Sequence, residues 1–354
     1  MWDDDNSVIL CAPTGKAAQR MREITGLKAE TIHRAKINPT PYNCLVVVDE
    51  VSMVDIMLAN EFLEWAKYCN IVLVGDADQL QSIGPGSFFL SLINSHIVPT
   101  VKLVKGHRNF GSIAKNSELI NNGMTMKDYI FNDFFHFIPC EDNLIQDAII
   151  KEYMNMVSKY GVKNVCILAP MRARTNSAVN TLNTVIRDIV NPYKSHSPKL
   201  PGCKFREGDR VMQTKNMYNK YSIDSKGEIK LGVFNGDCGI VSKIDEDENT
   251  LEVYFDDDRT VVYDRHEVDE LVLAYAMTIH KSQGSEYEGV IVVHSKGHYI
   301  MLRRELLYTA VTRAKTEITL IGDKSAFNNA ALNTVAQMLG ENVRYTKLKE
   351  RIES

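Results

Sequence analysis

The chain has 354 residues and a formal net charge of -4 at pH 7, with 44% hydrophobic and 24% charged residues. This composition is that of an ordinary soluble globular protein, and it excludes a disordered, fibrous or small disulfide-stabilised chain. Because the chain has no overall basic charge, any nucleic-acid binding must come from a local surface.

The seven cysteines are scattered and form no Cys-x-x-Cys pair, which favours a reducing cytosol over a disulfide framework or a zinc site. No apolar run is as long as a membrane span, and the acidic residues 3–5 are unlike the basic start of a signal peptide. We therefore predict a cytoplasmic protein without a membrane partner.

Short apolar runs alternate with helical patterns through the first hundred residues. The runs are residues 8–11, 45–48 and 71–74, and each is followed by small or polar residues. Such runs are typical of strands buried on both faces of a parallel sheet that helices flank. The pattern predicts a first α/β domain over residues 1–105.

A second series of apolar runs follows residue 160, at residues 165–168, 289–293 and 318–321. These runs predict a second α/β domain over residues 106–202 and 271–354. Between residues 203 and 270 the sequence changes to short alternating segments with turn signals such as Asn235-Gly236-Asp237. This stretch predicts a small β-barrel-like insert in the second domain.

Two acids, Asp49 and Glu50, end the apolar run 45–48. Ligands of open α/β sheets bind at the carboxyl ends of strands, so an acid there can hold Mg²⁺ on a nucleotide and its neighbour can orient or deprotonate a water. The alternative is that the pair only caps the helix that follows.

A long polar, glycine-rich loop, residues 75–86, follows the run 71–74. Its Gln79 can place an amide near a γ-phosphate, donating to oxygen and accepting from water. The alternative is an ordinary surface loop, but its position after a strand matches that of the acidic pair.

Hydroxyl, imidazole, ammonium, glycine and acid are concentrated in residues 278–286. Thr278, His280 and Lys281 can contact phosphate oxygens, while Gly284 and Glu286 can approach a ribose. The alternative is a polar helix start with solvated charges.

Arg313 and Lys315 lie near an otherwise apolar helix that begins at about residue 306. An isolated arginine is usually a solvated or ion-paired surface group. Together with the preceding segments, Arg313 is instead a candidate arginine finger.

Taken in chain order, these segments closely resemble the signature motifs of superfamily 1 DNA helicases, and within them the RecD/TraA type, which includes the exodeoxyribonuclease V alpha subunit. The matching segments are residues 12–18 with 31–34 (motif Ia), 49–53 (II), 75–86 (III), 107–109 (IV), 167–171 with 182–183, 208–212, 233–237, 278–286 (V) and 308–315 (VI). Motif IV reads His-Arg-Asn where the family usually has Arg-Gln.

The resemblance implies an α/β fold of two RecA-like domains of the P-loop NTPase type with an SH3-like β-barrel insert in the second. It implies ATP and Mg²⁺ in the cleft between the domains, single-stranded DNA across their tops, and a role in DNA repair or recombination. The residues it assigns are Asp49 for Mg²⁺, Glu50 for the attacking water, Gln79, Arg108 and Arg313 for the phosphates, Gly284 and Glu286 for the nucleotide, and Pro13, Thr14, His33, Thr278, His280 and Lys281 for the DNA strand.

Two departures from the family pattern change these expectations. No G-x-x-x-x-G-K-[ST] string, the family's motif I, occurs in the chain, and Gly15-Lys16-Ala17 lacks both the preceding glycine and the following hydroxyl. The link over residues 35–43 is also short where relatives carry a β-hairpin that splits the duplex. We therefore expect a motor fragment cut off before motif I and inactive in ATP hydrolysis as given.

Two alternatives remain open. One is a non-enzymatic DNA-binding or regulatory module that kept the helicase shape, and the other is the motor subunit of an exonuclease V-like helicase–nuclease complex. The suitable residue types at Asp49, Glu50, Gln79 and Arg313 favour a truncated enzyme over the first alternative. Helicase–nuclease subunits and self-association are both predicted as possible partnerships.

Overall fold

The computed structural model describes residues 8–103, 111–195 and 197–334. Within these ranges the chain forms two compact units. The first contains residues 8–103, 303–309 and 333–334, and the second contains residues 111–302 and 310–332. No helix among the described residues is long and apolar enough to cross a membrane.

The first unit is built on a four-stranded parallel sheet with the order β2-β1-β3-β4. Its strands are β1 (Val8–Ala12), β2 (Ala29–Thr31), β3 (Leu45–Val48) and β4 (Asn70–Leu73). The helices that connect or follow them are α1 (Gly15–Thr25), α2 (Ile32–Ala35), α3 (Ile56–Trp65) and α4 (Phe88–Ser95).

One face of this sheet forms the core of the first unit. Val46 and Val48 of β3 pack with Phe62 and Trp65 of α3 and with Phe88 of α4. Because side chains alternate across a strand, the residues between them face the other side, which is less well covered.

The prediction that these strands are buried on both faces is correct for residues 10–12 of β1, which are buried in succession, and wrong for β3 and β4. In β3 buried and half-buried residues alternate. In and just after β4, Val72 and Val74 are 45% and 44% exposed. β4, which precedes the motif III loop, lies at an edge of the described sheet.

The second unit contains a five-stranded parallel sheet with the order β14-β6-β15-β16-β5. Its strands are β5 (Phe135–Pro139), β6 (Val165–Ala169), β14 (Ala276–Thr278), β15 (Tyr287–His294) and β16 (Ala314–Gly322). The remaining helices are α5 (Ser112–Asn121), α6 (Ile145–Tyr160), α7 (Val179–Val190), α8 (Arg304–Val311), whose residues up to Thr309 group with the first unit, and α9 (Lys324–Leu332).

The same unit carries an antiparallel sheet with the order β13-β7-β10-β11-β12-β8-β9. Its strands are β7 (Arg210–Gln213), β8 (Met217–Asp224), β9 (Ile229–Val233), β10 (Cys238–Asp245), β11 (Thr250–Phe255), β12 (Arg259–Asp264) and β13 (Leu271–Leu273). It has a hydrophobic core of its own around Val241, Val253 and Phe255. The predicted α/β class, two parallel sheets with a β insert consistent with an SH3-like domain, is confirmed; the exact domain boundaries remain a prediction.

Candidate functional site

The predicted motif residues of the first unit lie at one edge of its sheet. The four strands are parallel, so their carboxyl ends meet. Backbone pairing continues past the strand ends: Asp49 donates its N–H to the Cys11 carbonyl at 3.0 Å, and Val74 donates to Val48 at 2.8 Å. This brings the acidic pair and the motif III loop to neighbouring positions.

The acidic pair sits in a tight turn after β3. Glu50 adopts a left-handed conformation, with φ 53° and ψ 38°, and donates its N–H to Asp49 Oδ1 at 2.9 Å. That conformation costs a non-glycine residue on the order of 1 kcal/mol, and such strain clusters at functional sites. The side chain of Glu50 does not cap the 3₁₀ turn that follows, and α3 is capped by Asp55, so capping does not explain the pair.

The motif III loop is organised by Asp76, which the sequence analysis did not single out. One carboxylate oxygen accepts from the Asp78 N–H at 3.0 Å. The other accepts from Gln79 Nε2 and from the Tyr308 hydroxyl, both at 3.1 Å. The amide of Gln79 is thus oriented by a carboxylate three residues earlier.

A second contact ties the same loop to α8, since Leu80 donates its N–H to the Thr309 hydroxyl at 3.0 Å. Thr309 is fully buried. Sequence reasoning missed Thr309 and Tyr308 along with Asp76. The Asp-x-Asp-Gln spacing was the available signal for Asp76, because aspartate often bonds the N–H two residues later.

The proposed DNA-contacting residues of the first unit follow β1 and β2. Thr14 Oγ1 caps α1 by accepting from the Ala17 N–H at 3.2 Å. His33 is exposed in α2, and Pro13 is half-buried before the cap. A hydroxyl that accepts one hydrogen bond still has a proton to donate, so the cap orients Thr14 without using up its donor.

A matching arrangement follows β14 in the second unit. Thr278 Oγ1 accepts from the Lys281 N–H at 3.4 Å and caps the 3₁₀ turn Ile279–Ser282. His280 is half-buried, and Lys281 is exposed to solvent. Desolvation, followed by the positive charge of Arg172, lowers the pKa of Lys281. Threonine therefore has the same local role at the ends of β1 and β14.

The residues predicted to approach a ribose come next. Gly284 has φ 73°, and no atom lies within 4 Å of the place where a Cβ would be, so its left-handed backbone rather than crowding favours glycine there. Glu286 is half-buried, and its carboxylate lies 4.0 Å from Lys315 Nζ. The structure places both residues in the loop that leads into β15.

Arg313 is only 5% exposed and is not a solvated surface group. Its Nη1 donates to the Ser285 carbonyl at 3.3 Å, and its Nη2 donates to the Thr312 hydroxyl at 3.1 Å. Arg313 thus connects motifs V and VI inside the second unit. The other predicted arginine, Arg108, lies outside the described residues.

The motif matches in the β insert have structural roles. Asp209 is fully buried and accepts from Asn191 Nδ2 at 2.8 Å and from the Tyr275 hydroxyl at 3.2 Å. Burial raises its pKa. Arg210 forms a bidentate ion pair with Asp256, in which Nη1 and Nη2 donate to the two carboxylate oxygens at 2.6 and 2.5 Å. These contacts fix the insert to the parallel sheet and strengthen its own strands.

The two parallel sheets with motif-bearing strand ends and the β insert are the architecture of the superfamily 1 helicase class. Residues 1–138 match the AAA domain family, residues 182–255 the SH3 domain of ATP-dependent RecD-like DNA helicases, and residues 273–321 the UvrD-like helicase C-terminal domain. The chain belongs to the RecD-like family of ATP-dependent DNA helicases.

Among curated proteins, the chain is 32% identical over 361 residues to the ATP-dependent RecD2 DNA helicase of Deinococcus radiodurans, an alignment that covers 98% of the chain and 46% of the relative. It is 27% identical over 401 residues to the RecBCD enzyme subunit RecD of Mycolicibacterium smegmatis, covering 98% of the chain and 66% of the relative. The chain therefore spans about half to two thirds of these relatives.

Solved structures of Pif1 helicases share the fold. The Bacteroides protein in complex with ADP-AlF3 and ssDNA aligns with a TM-score of 0.57 at 19% identity, over 94% of this chain and 86% of that one. The Candida albicans protein aligns with a TM-score of 0.54 at 15% identity, over 95% and 88%.

Proposed function

We propose that the chain is the motor portion of an ATP-dependent DNA helicase or translocase. The carrying observation is the pairing of two neighbouring strand ends, one presenting Asp49 and Glu50 and the other presenting Gln79 on a loop held by Asp76. A carboxylate pair next to an oriented amide suits the positioning and charge stabilisation on which phosphoryl transfer depends.

Each residue would have a defined task. Carboxylate oxygens are hard ligands that suit Mg²⁺, and Asp49 would hold that ion, which neutralises phosphate charge when bound. Glu50 would orient the attacking water and accept its proton, and Gln79 would contact the terminal phosphate. Arg313, together with Arg108, would stabilise negative charge, while Gly284 and Glu286 would lie near the ribose.

The proposed second ligand is single-stranded DNA, bound with little sequence preference by Pro13, Thr14, His33, Thr278, His280 and Lys281. Hydroxyl, imidazole and ammonium groups can donate to phosphate oxygens, contacts that carry no sequence information. Such binding should weaken steeply with salt because counterions are released. A Pif1 helicase of the same fold forms a complex with ssDNA, which supports single-stranded DNA as the class of ligand.

Fluorescence anisotropy with a labelled oligonucleotide tests DNA binding. Lys281→Ala should weaken binding about threefold or more. It should also reduce the slope of log affinity against log salt concentration by about 1. Lys226→Ala, which removes an exposed lysine from the insert, is the matched control and should leave affinity unchanged. Absent or salt-insensitive binding of the unmodified chain at low salt would count against the proposal.

We further propose that the 354-residue chain alone hydrolyses ATP negligibly, with or without DNA. It contains no G-x-x-x-x-G-K-[ST] string, whose backbone N–H groups and lysine normally cradle the phosphates. The edge of β4 is where a further parallel strand bearing such a loop would pair beside motif III. Without that partner, the apolar edge would favour self-association.

Colorimetric phosphate release by the purified chain tests this proposal, with Glu50→Gln as the control. Phosphate release should stay at the level of the Glu50→Gln variant. Robust DNA-stimulated turnover that Glu50→Gln abolishes would show that the nucleotide is held by other means.

A second candidate role is that of a subunit in a helicase–nuclease complex, because several matched relatives are RecBCD enzyme subunits. Sedimentation of the chain, alone and with candidate nuclease subunits, distinguishes this role from an independent motor. A stable stoichiometric complex supports it, and independent sedimentation of every component contradicts it.

A further inference from the structure

Two of the seven cysteines lie side by side at the amino ends of β3 and β4. Leu45 is paired with Asn70 in the parallel register, so the residues before them, Cys44 and Cys69, are also opposite each other. Backbone bonds flank the pair, since Asn70 donates to the Cys44 carbonyl at 3.0 Å and Asn43 donates to the Tyr68 carbonyl at 3.1 Å. The two cysteines are thus held in register by the sheet itself.

The two sulfur atoms are 3.1 Å apart, and both cysteines are reduced in this structure. Neighbouring strands are about 4.8 Å apart, which lies within the Cα separations that disulfides span. A small side-chain adjustment therefore suffices to join the sulfurs.

The pair is accessible from one side. Cys44 is 9% exposed and belongs to the core of the first unit, whereas Cys69 is half-buried. The neighbouring rings of Tyr42 and Tyr68 are 75% and 57% exposed, with centroids 5.9 Å apart. A small reagent can therefore reach the pair past these exposed rings, at the end of the strands opposite to Asp49 and Gln79.

We propose that Cys44 and Cys69 form a thiol–disulfide exchange site whose co-reactant is a low-molecular-weight disulfide. The Cys69 thiolate attacks one sulfur of that disulfide, which forms a mixed disulfide and releases one small thiolate. The Cys44 thiolate then attacks Cys69 Sγ, closing the protein disulfide and releasing the second small thiolate. The two protein protons end on the two released thiolates, so two protein thiols are oxidised and one small disulfide is reduced.

The order of the steps follows from the surroundings of the two thiols. Burial, with a contribution from Cys69, raises the pKa of Cys44 to about 11. The thiolate is the nucleophile, so the more accessible Cys69 reacts first and Cys44 resolves the mixed disulfide. Closure should therefore accelerate as pH rises from 7 to 9.

The link would fasten the edge strand β4 to β3. These strands lead to the motif III loop and to the acidic pair, so the covalent bond would hold the amino ends of both while leaving their carboxyl ends unaltered. The inference stands whether or not the chain is a motor, because it depends only on the strand register and the sulfur contact.

To test this, the reduced 354-residue chain is incubated with oxidised glutathione at pH 8. The remaining thiols are then alkylated in denaturant, and the peptides are mapped by mass spectrometry. We expect a Cys44–Cys69 linked peptide two hydrogen atoms lighter than its parts, and a fall in free thiols from seven to five. The Cys69→Ser variant should lose the link, and Cys140→Ser, which replaces a half-buried cysteine of the second unit, should keep it.

Three results would overturn the proposal: full alkylation of both cysteines, a stable glutathione adduct on Cys69 with Cys44 alkylated, or preferential linkage to another cysteine. Mapping of the unmodified chain decides between these results, so misfolding of a variant would not leave the proposal untested.

Discussion

The two parallel sheets carry motif residues at the same kind of place, the carboxyl ends of strands, but differ in how they are covered. In the second sheet all five residues of β6 are buried, as are the last six residues of β15. In the first sheet β3 alternates and β4 is partly exposed throughout. Similar apolar runs in the sequence therefore do not lead to similar burial of the strands.

The cause lies in the layers that pack on each sheet. In the second unit, Ile291 and Val293 face a cluster with α6 and α7, while His294, on the opposite face of β15, contacts Phe327 of α9 with ring centroids 4.9 Å apart. Helices thus cover both faces of this sheet. On the first sheet one face packs into a large core, and the other carries, among the described residues, only a small cluster of Ala12, Ala17 and Ala18.

The largest expected effect contrasts a buried position of the second sheet with an exposed position of the first. Ile291→Ala should lower the free energy of unfolding of the second unit by about 4 kcal/mol, because it leaves a cavity between packed layers. Val72→Ala, at a 45% exposed site, should cost the first unit only about 0.5 kcal/mol.

Denaturant titration separates the two units, because Trp65 is buried in the core of the first unit and the described residues of the second contain no tryptophan. Tryptophan fluorescence follows the first unit, and far-ultraviolet circular dichroism follows both. Equal costs for the two variants would contradict the difference in coverage.

The second expected effect is a dependence of the second unit on pH. Burial lowers the pKa of His294 to about 3 and that of His298 to about 4. The native imidazoles stay neutral where unfolded histidine, with its ordinary pKa near about 6.5, binds a proton. Stability should therefore be complete above about pH 6.5 and fall as pH drops towards the native values.

Between pH 8 and pH 5, His294 alone should account for about 2 kcal/mol of this loss. His294→Leu should flatten the profile by that amount, whereas His266→Asn, at an exposed site, should not. Parallel profiles for His294→Leu and the unmodified chain would show that His294 is not the cause.

The smallest expected effect is a loss of stability of the first unit when Asp76 of the motif III loop is replaced. Asp76→Ala removes the acceptor for Asp78, Gln79 and Tyr308 and should cost the first unit about 1 kcal/mol. Asp76→Asn keeps one acceptor oxygen and should cost less. The fluorescence transition measures both, and an unchanged transition for Asp76→Ala would show that the loop is held mainly by other contacts.

The sequence predicted six of the nine described strands of the parallel sheets, and the strand-end positions of Asp49, Glu50 and Gln79, because apolar runs and the polar residues that end them are local patterns. It did not predict that β4 would be half-exposed, since coverage depends on helices far along the chain. The Tyr308 contact with Asp76 spans 232 residues, and no local pattern reports it.

The cysteines show the same limit. Cys44 and Cys69 are 25 residues apart, and nothing in that spacing predicted that they would meet until the register of β3 and β4 was known. For Arg313 the sequence left two interpretations open, and its burial removes the solvated one; its proposed role towards phosphate stays a prediction.

The left-handed backbone of Glu50 implies a trade-off between robustness and chemistry. Glycine adopts φ 53° without steric penalty, so Glu50→Gly would relax the turn while removing the carboxylate. Selection for thermal stability alone would therefore favour glycine, and laboratory evolution for heat resistance would be drawn to this position. Retention of glutamate there under such selection would indicate that function, not folding, keeps the acid in place.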